Sequence, residues 1–487
     1  MPDRLKLWMT FSTLPRVIQG GMGVAVSDWR LANAVARAGQ LGVVSGTLLD
    51  TVMVRRLQDG DPGGHLRRAF AKFPIPGVAD EILRRYFIPA GRAPGVAYKL
   101  LPMYKQLVSV ARQRVTVLAN FAEIWLAKEG HASPVGLNLL TKIQIPNMPS
   151  LYGAMLAGVD VVIMGAGIPR EIPGVLDALA EHRPARMRFD VEGLARDEAE
   201  YLEFDPSTLA PPSLMATPLR RPAFLPVVSA ASLAMTLARK SNGRVDGFIV
   251  EAPTAGGHNA PPRGELRLSD EGEPIYGERD VVDLGKMRDL GLPFWLAGGR
   301  GSPEGLQSAL ESGAAGVQVG TLFAYCAESG IEPAIRARVL EGVVSGTAKL
   351  RTDPRASPTG YPFKMVELPG DAAQAAARER ICDLGYLRVA VRLPDGRTVY
   401  RCPSEPVDAY VAKGGEAADT EGRRCLCNGL TANVGLAQWR AATGEEEMPL
   451  VTSGDDLMQM AGFLSSHPGY TAAQAVDYLC ASVTAPR

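Results

Sequence analysis

Residues 246–264 read D-G-F-I-V-E-A-P-T-A-G-G-H-N-A-P-P-R-G, and they place a titratable group where acid–base chemistry is practicable. Phe248, Ile249 and Val250 form a short apolar run of the kind buried on both faces of a parallel sheet. Gly256 and Gly257 break that run, tolerate positive φ and let backbone approach something flat or charged. His258 follows at once, at the carboxyl end of the strand, where α/β folds carry their active sites. Its imidazole titrates near working pH, so it can take a proton or hold a polar group. Taken alone, the stretch fits a tight loop with a surface histidine equally well.

Two more constellations have chemical content. Gly298-Gly299 and Gly320-Thr321 each follow an apolar strand and present free backbone N–H groups, a phosphate cradle when two such loops face each other. Arg300 is placed to add a charge-assisted contact there. Cys382, Cys402, Cys425 and Cys427 supply a complete ligand set for zinc or an iron–sulfur cluster. Their spacing gives one C-x-C and no C-x-x-C, so buried free thiols or a Cys425–Cys427 redox pair stay open. His65, His131, His182 and His467 lack companions and read as surface residues.

The elements that must position these residues repeat as strand, Gly-rich turn and helix. Apolar runs stand at Val17-Ile18, Gly42-Val43-Val44-Ser45, Val135 to Leu140, Asp160 to Met164, Leu225 to Ser229, Phe248 to Val250, Pro293 to Leu296 and Gly316 to Gly320. Eight strands with helical crossovers predict an α/β fold, a (β/α)8 TIM barrel over 1–352, with an open doubly wound sheet as the alternative. Gly165-Ala166-Gly167 is the one dinucleotide-like string, but Arg170 stands where the third glycine belongs. A helical insertion of about 48–133, with a long helix expected over 100–129, covers a site or makes a homodimer contact. A second insertion, about 181–222, opens with alternating Arg186-Met187-Arg188-Phe189 and becomes proline-rich. Beyond 353 the rhythm stops, which predicts a small Cys-containing α+β domain over 353–487. It should hold a helix at 372–380, a hairpin at 386–400 and a terminal helix at 472–480.

The 52 basic and 52 acidic residues cancel over 487 positions, which argues against a nucleic-acid groove or an anionic-membrane patch. The start, Met1-Pro2-Asp3-Arg4-Leu5-Lys6-Leu7-Trp8, lacks the apolar core of a signal peptide, and no apolar stretch matches a bilayer span. A cytoplasmic protein with reduced cysteines is expected.

Ile18-Gln19-Gly20-Gly21-Met22, Gly136-Leu137-Asn138, Ala255-Gly256-Gly257-His258, Leu296-Ala297-Gly298-Gly299 and Val317-Gln318-Val319-Gly320-Thr321 together resemble the nitronate monooxygenase family. They are similar as well to the FMN-dependent enoyl-acyl-carrier-protein reductases. The resemblance implies FMN in the barrel mouth. Gly20, Gly21 and Met22 would pass beside the isoalloxazine, with Asn138 near it. Gly256, Gly257, Gly298, Gly299, Gln318, Gly320 and Thr321 would hold the ribityl phosphate end. His258 would be the catalytic histidine beside flavin and substrate. Glu251 stands where the family commonly has Gln, and Leu322 where it has Arg, a charge that Arg300 would replace. The implied activity is flavin reduction by substrate with reoxidation by dioxygen. Its alternative is NAD(P)H-dependent reduction of an enoyl substrate, small or carried as an acyl chain. From another class stands a non-redox barrel that binds a phosphate metabolite while the Cys-rich domain docks a partner.

Overall fold

A computed structural model describes residues 14–481; residues 1–8, read above as lacking a signal-peptide core, lie outside them. Eight strands form where the apolar runs stand: β1 Val17–Gln19, β2 Gly42–Ser45, β3 Val135–Leu140, β4 Val161–Gly165, β5 Ala223–Val228, β6 Phe248–Glu251, β7 Phe294–Ala297 and β8 Gly316–Val319. Every neighbouring pair is parallel, running from β1 through β8, β7, β6, β5, β4 and β3 to β2. The two ends then meet. The Gln19 N–H donates to Leu41 O at 2.9 Å and the Leu41 N–H to Val17 O at 3.2 Å, just before β2. The sheet is therefore a closed barrel and not an open doubly wound sheet.

Strand periodicity decides what fills it. Ile18, Val43, Ile163, Leu225, Ile249 and Trp295 form one fully buried interior cluster. Trp295 seals the floor, its indole N–H donating to Pro15 O at 2.7 Å. Side chains alternate with period two, so the next inward positions are Gly20, Ser45, Gly165, Val227, Glu251 and Ala297. These arrive at the open, carboxyl-end mouth.

The insertion after β2 contains helices Leu49–Gln58, His65–Phe70, Val78–Tyr86 and Val110–Ala127. The long helix expected over 100–129 starts only at Val110. Ser109 is extended and its side chain accepts from the Arg112 N–H, an N-cap that fixes the start; 87–109 carries no regular element. Buried Asp50 pins the insertion down, bonded to Arg112 at 2.7 Å, to the Tyr104 hydroxyl at 2.6 Å and to the Tyr386 hydroxyl. The second insertion opens as a hairpin of Ala185–Phe189 and Glu200–Phe204, with Arg186 and Arg188 on its exposed face. Among the described residues, no helix is long and apolar enough to cross a membrane.

From 353 onward the chain keeps no core to itself. Strand Lys349–Asp353 spans the expected boundary and pairs with Phe363–Glu367, which pairs in turn with Gly257–His258 above the barrel. Val366, Ala390, Val451, Leu457 and Leu479 belong to the same cluster as Leu31 and Val317 of the barrel layer. The expected helix near 372 is Asp371–Ala377, and the expected hairpin pairs Val389–Arg392 with Thr398–Arg401. Helix Ala472–Cys480, capped by Thr471, packs between helices Trp29–Arg37 and Pro303–Glu311 and completes the outer ring.

That docking is testable. Leu479 is fully buried, so Leu479→Ala is expected to cost about 2–5 kcal/mol of stability through lost burial and a residual cavity. Urea unfolding measures it. A cost near zero would mean that the helix does not close the ring.

Candidate active site

The barrel mouth opens into a cleft of about 220 Å³. Its walls bring together Gly20, Gly21, Met22, Asn138, Glu251, Gly256, Gly257, His258, Gly298, Gly299, Gln318, Gly320 and Thr321. Arg300 is not among them. Its Nη1 runs back to Ser308 Oγ at 3.5 Å along helix Pro303–Glu311, so the guanidinium does not line the cleft. Gly165 and Ala166, read above only as a discounted dinucleotide string, reach the rim.

The wall at Gly20–Met22 is set by one hydroxyl. Ser27 Oγ donates to Gly20 O at 2.8 Å and accepts the Met22 N–H at 3.0 Å, while Gln19 Nε2 donates to it at 2.8 Å. Asn138 Nδ2 donates to Gly21 O at 3.1 Å, and a Cβ on Gly21 would lie 2.3 Å from Asn138 Cβ. Only glycine leaves that surface flat. At the opposite end Gly298 and Gly299 have φ of +87° and +65°. Among the described residues no acceptor takes the N–H of Gly299 or Gly320.

His258 sits on the two-residue strand paired with Phe363 and Lys364. Its Nε2 is 2.7 Å from Ser357 Oγ, which lies 2.8 Å from Thr359 Oγ1. The Phe363 ring meets it edge-on at 4.8 Å, with Tyr361 beyond at 6.3 Å. Burial pushes the imidazole down to about 4, so it is neutral at physiological pH. Burial pushes the Glu251 carboxyl up to about 7. The cleft therefore inverts the usual order, holding its carboxyl more basic than its histidine.

A strap from the far end of the chain roofs the phosphate-facing end. Thr321 Oγ1 accepts the Gly454 N–H at 2.9 Å, and the Asp455 N–H donates to Thr254 O at 3.0 Å. Lys364 Nζ bonds Asp455 Oδ1 at 2.5 Å and Pro253 O at 3.0 Å. Asp456 Oδ2 accepts the Gly301 N–H at 3.1 Å. Ser357 and Asp456 are not among the residues singled out from the sequence above. The sole signal was the turn-rich Ser357-Pro358-Thr359-Gly360 run.

The four cysteines also converge, on a small pocket with Leu384, Leu387 and Leu426. They do not form the expected zinc or iron–sulfur ligand set. All are free, and among the described residues no group of three or more His, Cys, Asp or Glu is arranged to hold a metal ion. His182 is not a surface residue: it is buried, with Nδ1 2.8 Å from Tyr152 Oη and Nε2 3.0 Å from Thr217 O.

Residues 208–353 match the family model of nitronate monooxygenase. A nitronate monooxygenase of Pseudomonas aeruginosa is 29% identical over 199 residues, 40% of this chain and 49% of the relative. A probable nitronate monooxygenase of Bacillus subtilis is 33% identical over 108 residues, 22% of this chain and 29% of the relative. An octahydroindene-carboxyl-CoA dehydrogenase of Mycobacterium tuberculosis is 32% identical over 102 residues, 21% of this chain and 25% of the relative. The chain thus spans half or less of the length of these relatives. The matched residues 208–353 hold three of the five motifs quoted above, those of Gly256-Gly257-His258, Gly298-Gly299 and Gly320-Thr321.

Glu251 has a thermodynamic signature. Folded, it protonates at about 7; unfolded, near its ordinary value of 4.5. Between those values the folded chain binds more protons, so stability falls as pH rises. Glu251→Gln removes that loss and is expected to gain about 1–3 kcal/mol at pH 8 and almost none at pH 4. Urea unfolding at the two pH values measures it, and equal gains at both would show that the carboxyl is not held neutral.

Proposed function

We propose that this chain is an FMN-dependent oxidoreductase of the nitronate monooxygenase type, with the flavin reduced by a small nitroalkane or nitronate and reoxidised by dioxygen. One observation carries the reading. A flat glycine wall, a neutral histidine and two unbonded amides from the loops after β7 and β8 face one cleft at the mouth of a closed barrel. The donor set fits FMN, since a phosphate is held by such amides without help from a cation.

Bound there, FMN supplies two-electron transfer at its ring. The chain's own residues do the rest. Gly20, Gly21 and Met22 offer an uncluttered wall, and Asn138 keeps that wall in place through Gly21 O. Gly256, Gly257, Gln318 and Thr321 would line the ribityl path, and the amides of Gly299 and Gly320 would take the phosphate. His258, uncharged at neutral pH, accepts a hydrogen bond or a proton from substrate without first losing one. Ser357 acts as a positioning residue, because its bond to Nε2 fixes the ring. Glu251, with a pKa near working pH, is matched to proton transfer at the cleft floor.

The dehydrogenase similarity supports a second reading. That relative acts by its name on a carboxyl-CoA, and the large helical insertion offers cover for an acyl chain. The chain would then pass hydride from NAD(P)H through FMN to an activated double bond. Exposed Val96, Met103 and Leu107 in the insertion support a homodimer contact at that face.

Anaerobic absorbance titration decides between the readings. The purified protein is expected to carry or take up FMN and to bleach with an alkyl nitronate. Bleaching by NADH or NADPH alone would make it the reductase, and a protein that takes up no flavin would overturn both. His258→Ala is expected to keep FMN and lose about 100-fold or more in turnover. Full turnover in that variant would remove His258 from the mechanism.

A further inference from the structure

The strap over 452–456 puts a carboxylate where the cofactor's phosphate end would lie. Asp456 lines the cleft together with Gly298, Gly299, Gly320 and Thr321. Its Oδ2 accepts the Gly301 N–H at 3.1 Å, on the same turn that carries the Gly299 amide. Asp456 cannot drift away from that turn, because both neighbours are anchored. Gly454 is bonded to Thr321 Oγ1 at 2.9 Å and Asp455 to Lys364 Nζ at 2.5 Å. No lysine or arginine lines the cleft, and Arg300 turns to Ser308. A phosphate entering here meets backbone amides and a hydroxyl, but it also meets the Asp456 carboxylate, whose one cationic neighbour, Arg300, is turned out of the cleft. Burial pushes the Asp456 carboxyl up; the charge of Asp455 adds to this, and the Gly301 N–H and Arg300 oppose it.

We propose that Asp456 is a specificity-determining residue for the flavin, weakening the hold on a phosphorylated tail while accepting a hydrogen bond from an uncharged ribityl end. The proposal rests on the FMN reading above. It makes the flavin exchangeable. The amides favour FMN, the carboxylate offsets that preference, and FMN and riboflavin bind with similar affinity. The loops after β7 and β8 would otherwise form a strongly phosphate-selective cradle. Asp456 adds the repulsion that discrimination between two ligands often depends on.

The test is a flavin-fluorescence titration of full-length protein and of Asp456→Asn with FMN and with riboflavin. Asparagine keeps an oxygen for the Gly301 N–H, and thermal unfolding checks that the fold is intact; Asp456→Ser replaces it if it is not. In wild type the two flavins are expected to bind within about 10-fold of each other. In Asp456→Asn, FMN is expected to bind about 10-fold or more tighter, with riboflavin changed by less than about 2-fold. An unchanged ratio of the two affinities, or weaker FMN binding in the variant, overturns the role of Asp456 and leaves the flavin reading standing. A wild-type protein that binds neither flavin overturns both.

Discussion

The Lys364 ammonium is the contact on which the site's geometry depends. It is 5% exposed, and it bonds the Pro253 carbonyl of the loop after β6 and the Asp455 carboxylate of the strap. A buried ammonium stripped of its partners costs several kcal/mol, so these two segments and strand Phe363–Glu367 hold together or fail together. Lys364 pairs with Gly257 in the strand register, and Phe363 with His258. Locking Lys364 therefore fixes the backbone that presents the imidazole, and Ser357 then fixes its ring.

The cleft is built against charge. Its histidine is pushed down to about 4 and its inner carboxyl up to about 7, both by burial. Neither shift needs a special partner; each follows from taking an ionisable group out of water at the closed top of an apolar barrel. A site of this kind favours substrates that bind neutral and develop charge only where a fixed group meets it. The amides at Gly299 and Gly320 are that fixed group at one end, and the carboxylate of Asp456 limits what they can attract.

The barrel was legible in the sequence because its information is local. Each strand is a short apolar run that ends in glycine, and period-two alternation carries the same register from buried Ile249 to Glu251 and from Trp295 to Ala297. Gly20 and Gly320 stand just beyond such runs, whereas Asn138 lies inside one and came only from the resemblance. What returns from far along the chain was not legible. Ser357 and Asp456 reach the cleft only because strand pairing and the strap bring 357 and 456 back over the mouth, and no spacing announces that. Arg300 was read from its charge, yet a long side chain goes where its neighbours direct it, here to Ser308. The end of the strand–helix rhythm at 353 marked a change of topology, and a change of topology does not reveal whether the next segment buries its own core or shares one. The cysteines show the same gap, since composition gathered them correctly but could not tell thiols packed against leucines from a ligand shell.

Helix Ala472–Cys480 completes the outer ring between Trp29–Arg37 and Pro303–Glu311. On the ribosome, all eight strands emerge well before it does. The nascent barrel therefore waits with an apolar seam open between its first and seventh helices, a seam that chaperones can hold and that other nascent chains can invade. The strap precedes this helix by only a short stretch of chain, so the seam and the roof of the cleft are closed by the same late arrival.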